Sequence, residues 1–177
     1  MDDEIQFINE SIKIGFFGCH GKTAVCLRYL KGEFSEGYIP TIEDEFSKII
    51  TINDRSINLT IIDTAGQDDF AEMRYSYFKL VNGSIIFVDI SNPSSIDDLR
   101  MIYDDMKDSI DDDPIIVIGA LNADLRDDPT ISQETLISKG EIQNLSSEFD
   151  CEVFECSAKT NLNIDNLIHT LAKKNFR

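Results

Sequence analysis

The stretch that decides the fold is Ile12-Lys13-Ile14-Gly15-Phe16-Phe17-Gly18-Cys19-His20-Gly21-Lys22-Thr23. An apolar run ends in Gly18, turns through Gly21 and opens a helical pattern from Lys22 to Leu30. A strand-to-helix turn of this kind aims backbone N–H groups and the helix dipole at one point, which suits a phosphate. In that context Lys22 is expected to reach the β- and γ-phosphates of a nucleotide, and the Thr23 hydroxyl to ligate Mg²⁺. The phosphate-loop pattern G-x-x-x-x-G-K-[ST] has Phe16 at its first glycine position, with Gly15 one residue early. Cys19 falls beside the helix N-terminus, where a thiol pKa can drop. A passive small residue is the alternative reading of it.

Working outward, apolar β-rich runs alternate with helical patterns. Strands are expected over Ile12–Phe17, Phe46–Ile52, Ile57–Ile62, Ser84–Asp89, Ile115–Leu121 and Cys151–Cys156. Helices are expected at Lys22–Leu30, Phe70–Leu80, Ser94–Asp108, Ser132–Phe149 and Asn163–Asn175. This order predicts an α/β fold, a mainly parallel six-stranded sheet with helices on both faces. The turn-like Asn53-Asp54-Arg55 makes the second and third strands a hairpin, so one edge strand runs antiparallel.

Composition bounds the function. The chain has 177 residues, one domain's worth, read as a single unit over 1–177. Its 16 Lys and Arg against 33 Asp and Glu give a net charge of −17, which argues against nucleic acid and anionic lipid as partners. The eight aspartates between Asp97 and Asp113 read as a solvated acidic face, with a docking site for a basic partner as the lesser alternative. No apolar run approaches the about 18 residues of a membrane span, and the acidic start lacks a signal-peptide pattern. Cys19, Cys26, Cys151 and Cys156 have no metal-site spacing and read as reduced thiols, which suits a cytoplasmic protein.

A second motif lies about 40 residues beyond the turn: Leu59-Thr60-Ile61-Ile62-Asp63-Thr64-Ala65-Gly66-Gln67. Asp63, at the end of a strand, is expected to hold the Mg²⁺ shell. Gly66 is expected to bring a backbone N–H to a γ-phosphate, and Gln67 to orient an attacking water. Two motifs thus stand where one active site needs them.

With these residues in view, the sequence resembles the Ras superfamily of small GTPases, from about Ile12 to Ile168. Phe34–Phe46 resembles switch I, and its core Tyr38-Ile39-Pro40-Thr41-Ile42-Glu43-Asp44 is most like the Ras branch. Asp63–Gln67 with Met73, Arg74 and Tyr77 resembles switch II, and Glu155-Cys156-Ser157-Ala158-Lys159-Thr160 resembles the family's guanine loop. The resemblance implies a three-layer P-loop GTPase fold, with GTP/GDP and Mg²⁺ as cofactors. It implies Thr23, Thr41 and Asp63 at the metal, and Lys22, Thr41, Gly66 and Gln67 in hydrolysis. Around the nucleotide it implies Gly18, Cys19, His20, Gly21, Lys22, Thr23 and Ala24 at the phosphates, with Gly18 as the glycine beside the γ-phosphate. Phe34, Tyr38, Asn122, Asp124, Ser157, Ala158 and Lys159 complete the site, with Asp124 accepting from the guanine N1 and N2 donors. Effectors are implied at Ile42, Glu43 and Asp44, together with an exchange factor and a GTPase-activating protein, for a monomer.

Departures sharpen these expectations. The family's Asn-Lys-x-Asp base motif is here Leu121-Asn122-Ala123-Asp124. Four residues separate Gly119 from Asp124 where the family has three, so the loop is either in the standard register or shifted by one, with Asn122 taking over part of the lost role. Phe16 either narrows the α-phosphate end or points into the core. The C-terminal residues carry no prenylatable Cys. The leading expectation is a slow GTP-hydrolysing switch. A pseudo-GTPase interaction module is the alternative, and an adenine-nucleotide kinase a distant third.

Overall fold

The computed structural model describes residues 10–37, 43–64 and 71–176, with the side chains of 43–44 and 71–74 excepted. The strands are β1 (Glu10–Gly18), β2 (Glu43–Ile52), β3 (Arg55–Thr64), β4 (Gly83–Asp89), β5 (Ile116–Leu121) and β6 (Val153–Glu155). The helices are α1 (Lys22–Lys31), α2 (Ala71–Phe78), α3 (Ser95–Ser109), α4 (Lys139–Phe149) and α5 (Ile164–Lys174). The strands form one six-stranded sheet in the order β2-β3-β1-β4-β5-β6. All pairs are parallel except β2 with β3. This is the α/β architecture of the P-loop GTPases. The antiparallel edge arises because Asn53 and Asp54 both take positive φ, 49° and 61°, as a tight two-residue hairpin turn requires.

Alternation along β1 feeds two cores. Ile12, Ile14 and Phe16 point to the face covered by α1 and α5, while Phe17 joins Leu99, Ile102 and Phe149 beneath α3 and α4. β5 is buried at every residue, as a parallel strand covered on both faces must be. In α5 the buried set Ile164, Leu167, Ile168, Leu171 and Ala172 repeats at helical spacing and forms one apolar stripe.

Two expectations need correction. The helix expected over Ser132–Phe149 begins only at Lys139, because Ser138 and Glu141 form a reciprocal capping box; a short 3₁₀ turn, Gln133–Thr135, precedes it. The strand expected over Cys151–Cys156 is confined to Val153–Glu155. Among the described residues, no helix is long and apolar enough to cross a membrane.

β1 pairs with β3 on one side and β4 on the other, so chain direction around the sheet reverses beside it. Clefts at the C-terminal ends of strands flanking such a point are where open α/β sheets hold ligands.

Candidate nucleotide site

The first motif forms a tight turn at the end of β1. Gly18 is the last strand residue, with φ +99°, and a Cβ there would collide with the Phe87 carbonyl oxygen of β4. The Cys19 N–H donates to that same oxygen at 3.2 Å. Only Cys19, His20 and Gly21 separate β1 from α1. Phe16 lies two residues back inside β1, wholly buried, with its ring edge-on to Phe87 at 5.1 Å between centroids. It points into the core and away from the turn.

The strand runs on past Phe16 and gives way to the turn at Gly18, the residue expected beside a γ-phosphate. Phe17, Gly18, Cys19 and His20 separate Phe16 from Gly21, the four residues of the pattern, so the loop keeps its length and only its first glycine is replaced. The Lys22 ammonium is gathered into the turn, at 3.1 Å from the Gly18 carbonyl oxygen and 2.9 Å from that of Cys19. Gly21, with φ +106°, caps α1 without a side-chain oxygen closing over the helix N-terminus. Burial pushes the Cys19 thiol up to about 12, only partly opposed by Lys22, so the low-pKa reading gives way to the passive one.

Thr23, on the first turn of α1, donates its hydroxyl to Asp63 Oδ2 at 2.5 Å. Asp63 sits at the end of β3 and is fully buried. Its neighbour Thr64 anchors β3 to β1 by donating to the Phe16 carbonyl at 2.6 Å. Hydroxyl and carboxylate are hard oxygen donors that suit Mg²⁺. Among the described residues no three His, Cys, Asp or Glu cluster as metal ligands, so the metal reading rests on this mixed pair.

Beside the turn opens a cavity of about 220 Å³, smaller than the roughly 300–1,000 Å³ of a pocket for a whole ligand and of a size for one ring system. Gly21 and Ala24 of the turn and α1 form one wall; Phe34 and Glu36, which follow α1, form another. Leu121, Asn122, Asp124, Ala158 and Lys159 close it. Asp124 accepts from the Ser157 hydroxyl at 2.6 Å, and the Ala123 N–H binds the Cys156 carbonyl at 3.1 Å, so the β5 and β6 loops are joined. Leu121, Asn122 and Asp124 all line this one cavity. Asn122 takes a left-handed conformation, φ +66°, which Asn tolerates better than Lys. Leu121 meets the phosphate turn through its methyl group beside Gly21, an apolar contact where the family has an Asn. Glu36 and Lys159 pair at 3.3 Å, both largely exposed.

Sequence reasoning passed over Arg28 and Asn163. Arg28 of α1 binds the carbonyls of Ala158 and Lys159, and the Asn163 amide donates to the Glu155 carbonyl at 2.8 Å. Neither belongs to a motif; the signal available was only a lone Arg on an otherwise uncharged stretch of helix. Tyr38, Thr41, Ile42, Gly66 and Gln67 lie outside the described residues, as do the side chains of Glu43, Asp44, Met73 and Arg74.

Residues 12–177 match the model of the Ras family. The chain belongs to that family. Among related Ras-family proteins, it is 33% identical over 146 residues to "Small monomeric GTPase RhbA" of Aspergillus fumigatus, covering 81% of this chain and 75% of the relative. It is 31% identical over 156 residues to "Ras-like protein RAS2" of Hydra vulgaris, covering 86% and 77%. With "GTP-binding protein Rit1" of Mus musculus it shares 35% over 158 residues, covering 87% and 68%. Ras-family proteins are GTP-binding switches that bind GTP and GDP and hydrolyse GTP, and this chain is one of them.

Proposed function

We propose that this Ras-family chain binds GTP and GDP with Mg²⁺ in the cleft described, hydrolyses GTP slowly, and signals through switch I, which leads into β2, and switch II, which follows β3. The observation that carries this reading is α1 itself. One helix presents Lys22 and Thr23 to the Asp63 end of the cleft and Ala24 to the cavity that holds Asp124. Thr23 and Asp63, joined by Thr41, hold the metal in this reading, which supplies charge neutralisation at the phosphate oxygens. Lys22 binds the phosphates, and the Gly66 N–H and Gln67 bind and orient at the γ end. Asp124 pairs with the two donors of guanine, held in place by Ser157, while Phe34 stacks at the base edge. No arginine of the described site reaches the phosphate turn, so turnover is slow until a partner supplies one. Effectors bind at Ile42–Asp44 of a monomer, with an exchange factor and an activating protein controlling its state. Chromatography of the nucleotide released on denaturing the purified protein tests the reading: guanine nucleotide supports it, and adenine nucleotide refutes it.

One observation favours the second reading, a pseudo-GTPase interaction module. The first glycine of the phosphate-loop pattern is replaced by Phe16, wholly buried in β1, so the chain departs from the pattern at the start of the loop. Single-turnover hydrolysis separates the two, since the module would bind without turnover.

A further inference from the structure

The Arg28 guanidinium makes three hydrogen bonds, all to backbone carbonyls. Its Nε donates to Ala158 at 2.6 Å, Nη2 to Lys159 at 3.0 Å, and Nη1 to Gly32 at 2.8 Å. Its Cζ also lies 5.9 Å from the centre of the Phe34 ring. Ala158, Lys159 and Phe34 all line the base cavity, whereas Arg28 does not. Gly32 is the left-handed cap that ends α1 and starts the segment leading to Phe34. One side chain outside the cavity therefore holds the residues of two of its walls.

We propose that Arg28 is the positioning residue for the base, and that it takes over the tether which the base motif of this chain lacks. Leu121 offers the phosphate turn only a methyl contact. The polar link between the phosphate-bearing helix and the base loop runs through Arg28 instead. Binding the Ala158 and Lys159 carbonyls fixes two successive peptide planes of that loop, and with them the direction of the N–H groups at its tip. A planar fork with donors in three directions can serve three carbonyls at once; a lysine ammonium on the same stem cannot reach them with that geometry. The consequence is that base recognition and nucleotide residence time depend on a residue six positions beyond Lys22 on the same helix.

The proposal rests on the guanine-nucleotide reading above. The test compares full-length wild type, Arg28→Lys and Arg28→Ala by stopped-flow release of a fluorescent GDP analogue and by competition with ADP. The expected result is release faster by about 10- to 100-fold in Arg28→Ala, as befits lost charged hydrogen bonds. Arg28→Lys, which keeps charge and helix propensity, should recover little of it, and the preference for GDP over ADP should shrink in both. Amide hydrogen exchange across residues 157–162 should rise in Arg28→Lys, a readout that does not depend on Arg28→Ala folding well. Adding Leu121→Asn to Arg28→Lys should restore slow release. Wild-type preference for GDP with release, selectivity and exchange all unchanged in the variants would overturn the role of Arg28 alone. A wild type without guanine preference would overturn the functional reading and this proposal with it.

Discussion

The Thr23 hydroxyl donates to the Asp63 carboxylate across 2.5 Å, although 40 residues separate them in the chain. The bond ties the first turn of α1 to the end of β3. The hydroxyl and the carboxylate are the two oxygen donors that would hold a divalent cation here, and the cation would supply charge neutralisation at phosphate oxygens. Thr23→Ala and Asp63→Asn should each weaken Mg²⁺ binding by at least about 10- to 100-fold. The check is GDP release with and without a chelator: chelation should speed release from wild type and change it little in the variants.

Asp124 is held by Ser157 with its carboxylate in the cavity wall. Two charged hydrogen bonds to guanine at about 1.5–3 kcal/mol each make its removal costly. Asp124→Ala should lower GDP affinity by about 100-fold or more and leave ADP affinity almost untouched. Equal losses for both bases would remove Asp124 from base recognition.

Gln67→Leu should leave GDP and GTP affinity intact and slow single-turnover hydrolysis by at least about tenfold, since only water placement is lost. Equal rates in the two proteins would exclude Gln67 from that role.

A prediction away from the site concerns His169, whose Nε2 lies 2.9 Å from the Tyr29 hydroxyl. Burial lowers its pKa below the ordinary 6.5; Asp165 opposes this, and Lys173 and Lys48 reinforce it. The unfolded chain therefore takes up the proton first. The contribution of His169 to stability is full above about pH 6.5 and declines as pH falls from there toward the folded value. Urea unfolding at pH 7.5 and 5.5 should show a smaller drop for His169→Phe, which keeps an aromatic ring against Tyr29 without titrating.

Strand and helix order was legible because hydrophobic alternation and helical spacing are local. Ile12, Ile14 and Phe16 on one face of β1 could be read without a fold. The start of α4 was not read correctly, although Ser138 and Glu141 carry a capping box at the spacing a cap requires. The site divided in the same way. Lys22, Thr23, Asp63 and Asp124 stand out because their chemistry sits in recognisable strings. The direction of Phe16 did not, because an aromatic at the first glycine position reads equally as obstruction or as core. Only its burial against Phe87 shows which. Arg28 was invisible for a different reason. It acts on carbonyls 130 and 131 residues away, and backbone acceptors leave no mark on a sequence.

The phenylalanines at the centre of the sheet need bare backbone beside them. A Cβ on Gly15 would run into the Phe17 ring, and one on Gly119 into the ring of Phe87. Each aromatic disc therefore lies across a gap left by an absent side chain, like a lid on a seat cut for it. Sliding β5 against β4 by a single step would move the seat out from under Phe87. The alignment of β4, whose Phe87 carbonyl holds the start of the phosphate turn, is thus keyed by what is missing as well as by what is buried. Methyl groups at these two glycines, neither of which lines the cavity, should displace the root of the turn by pushing on rings.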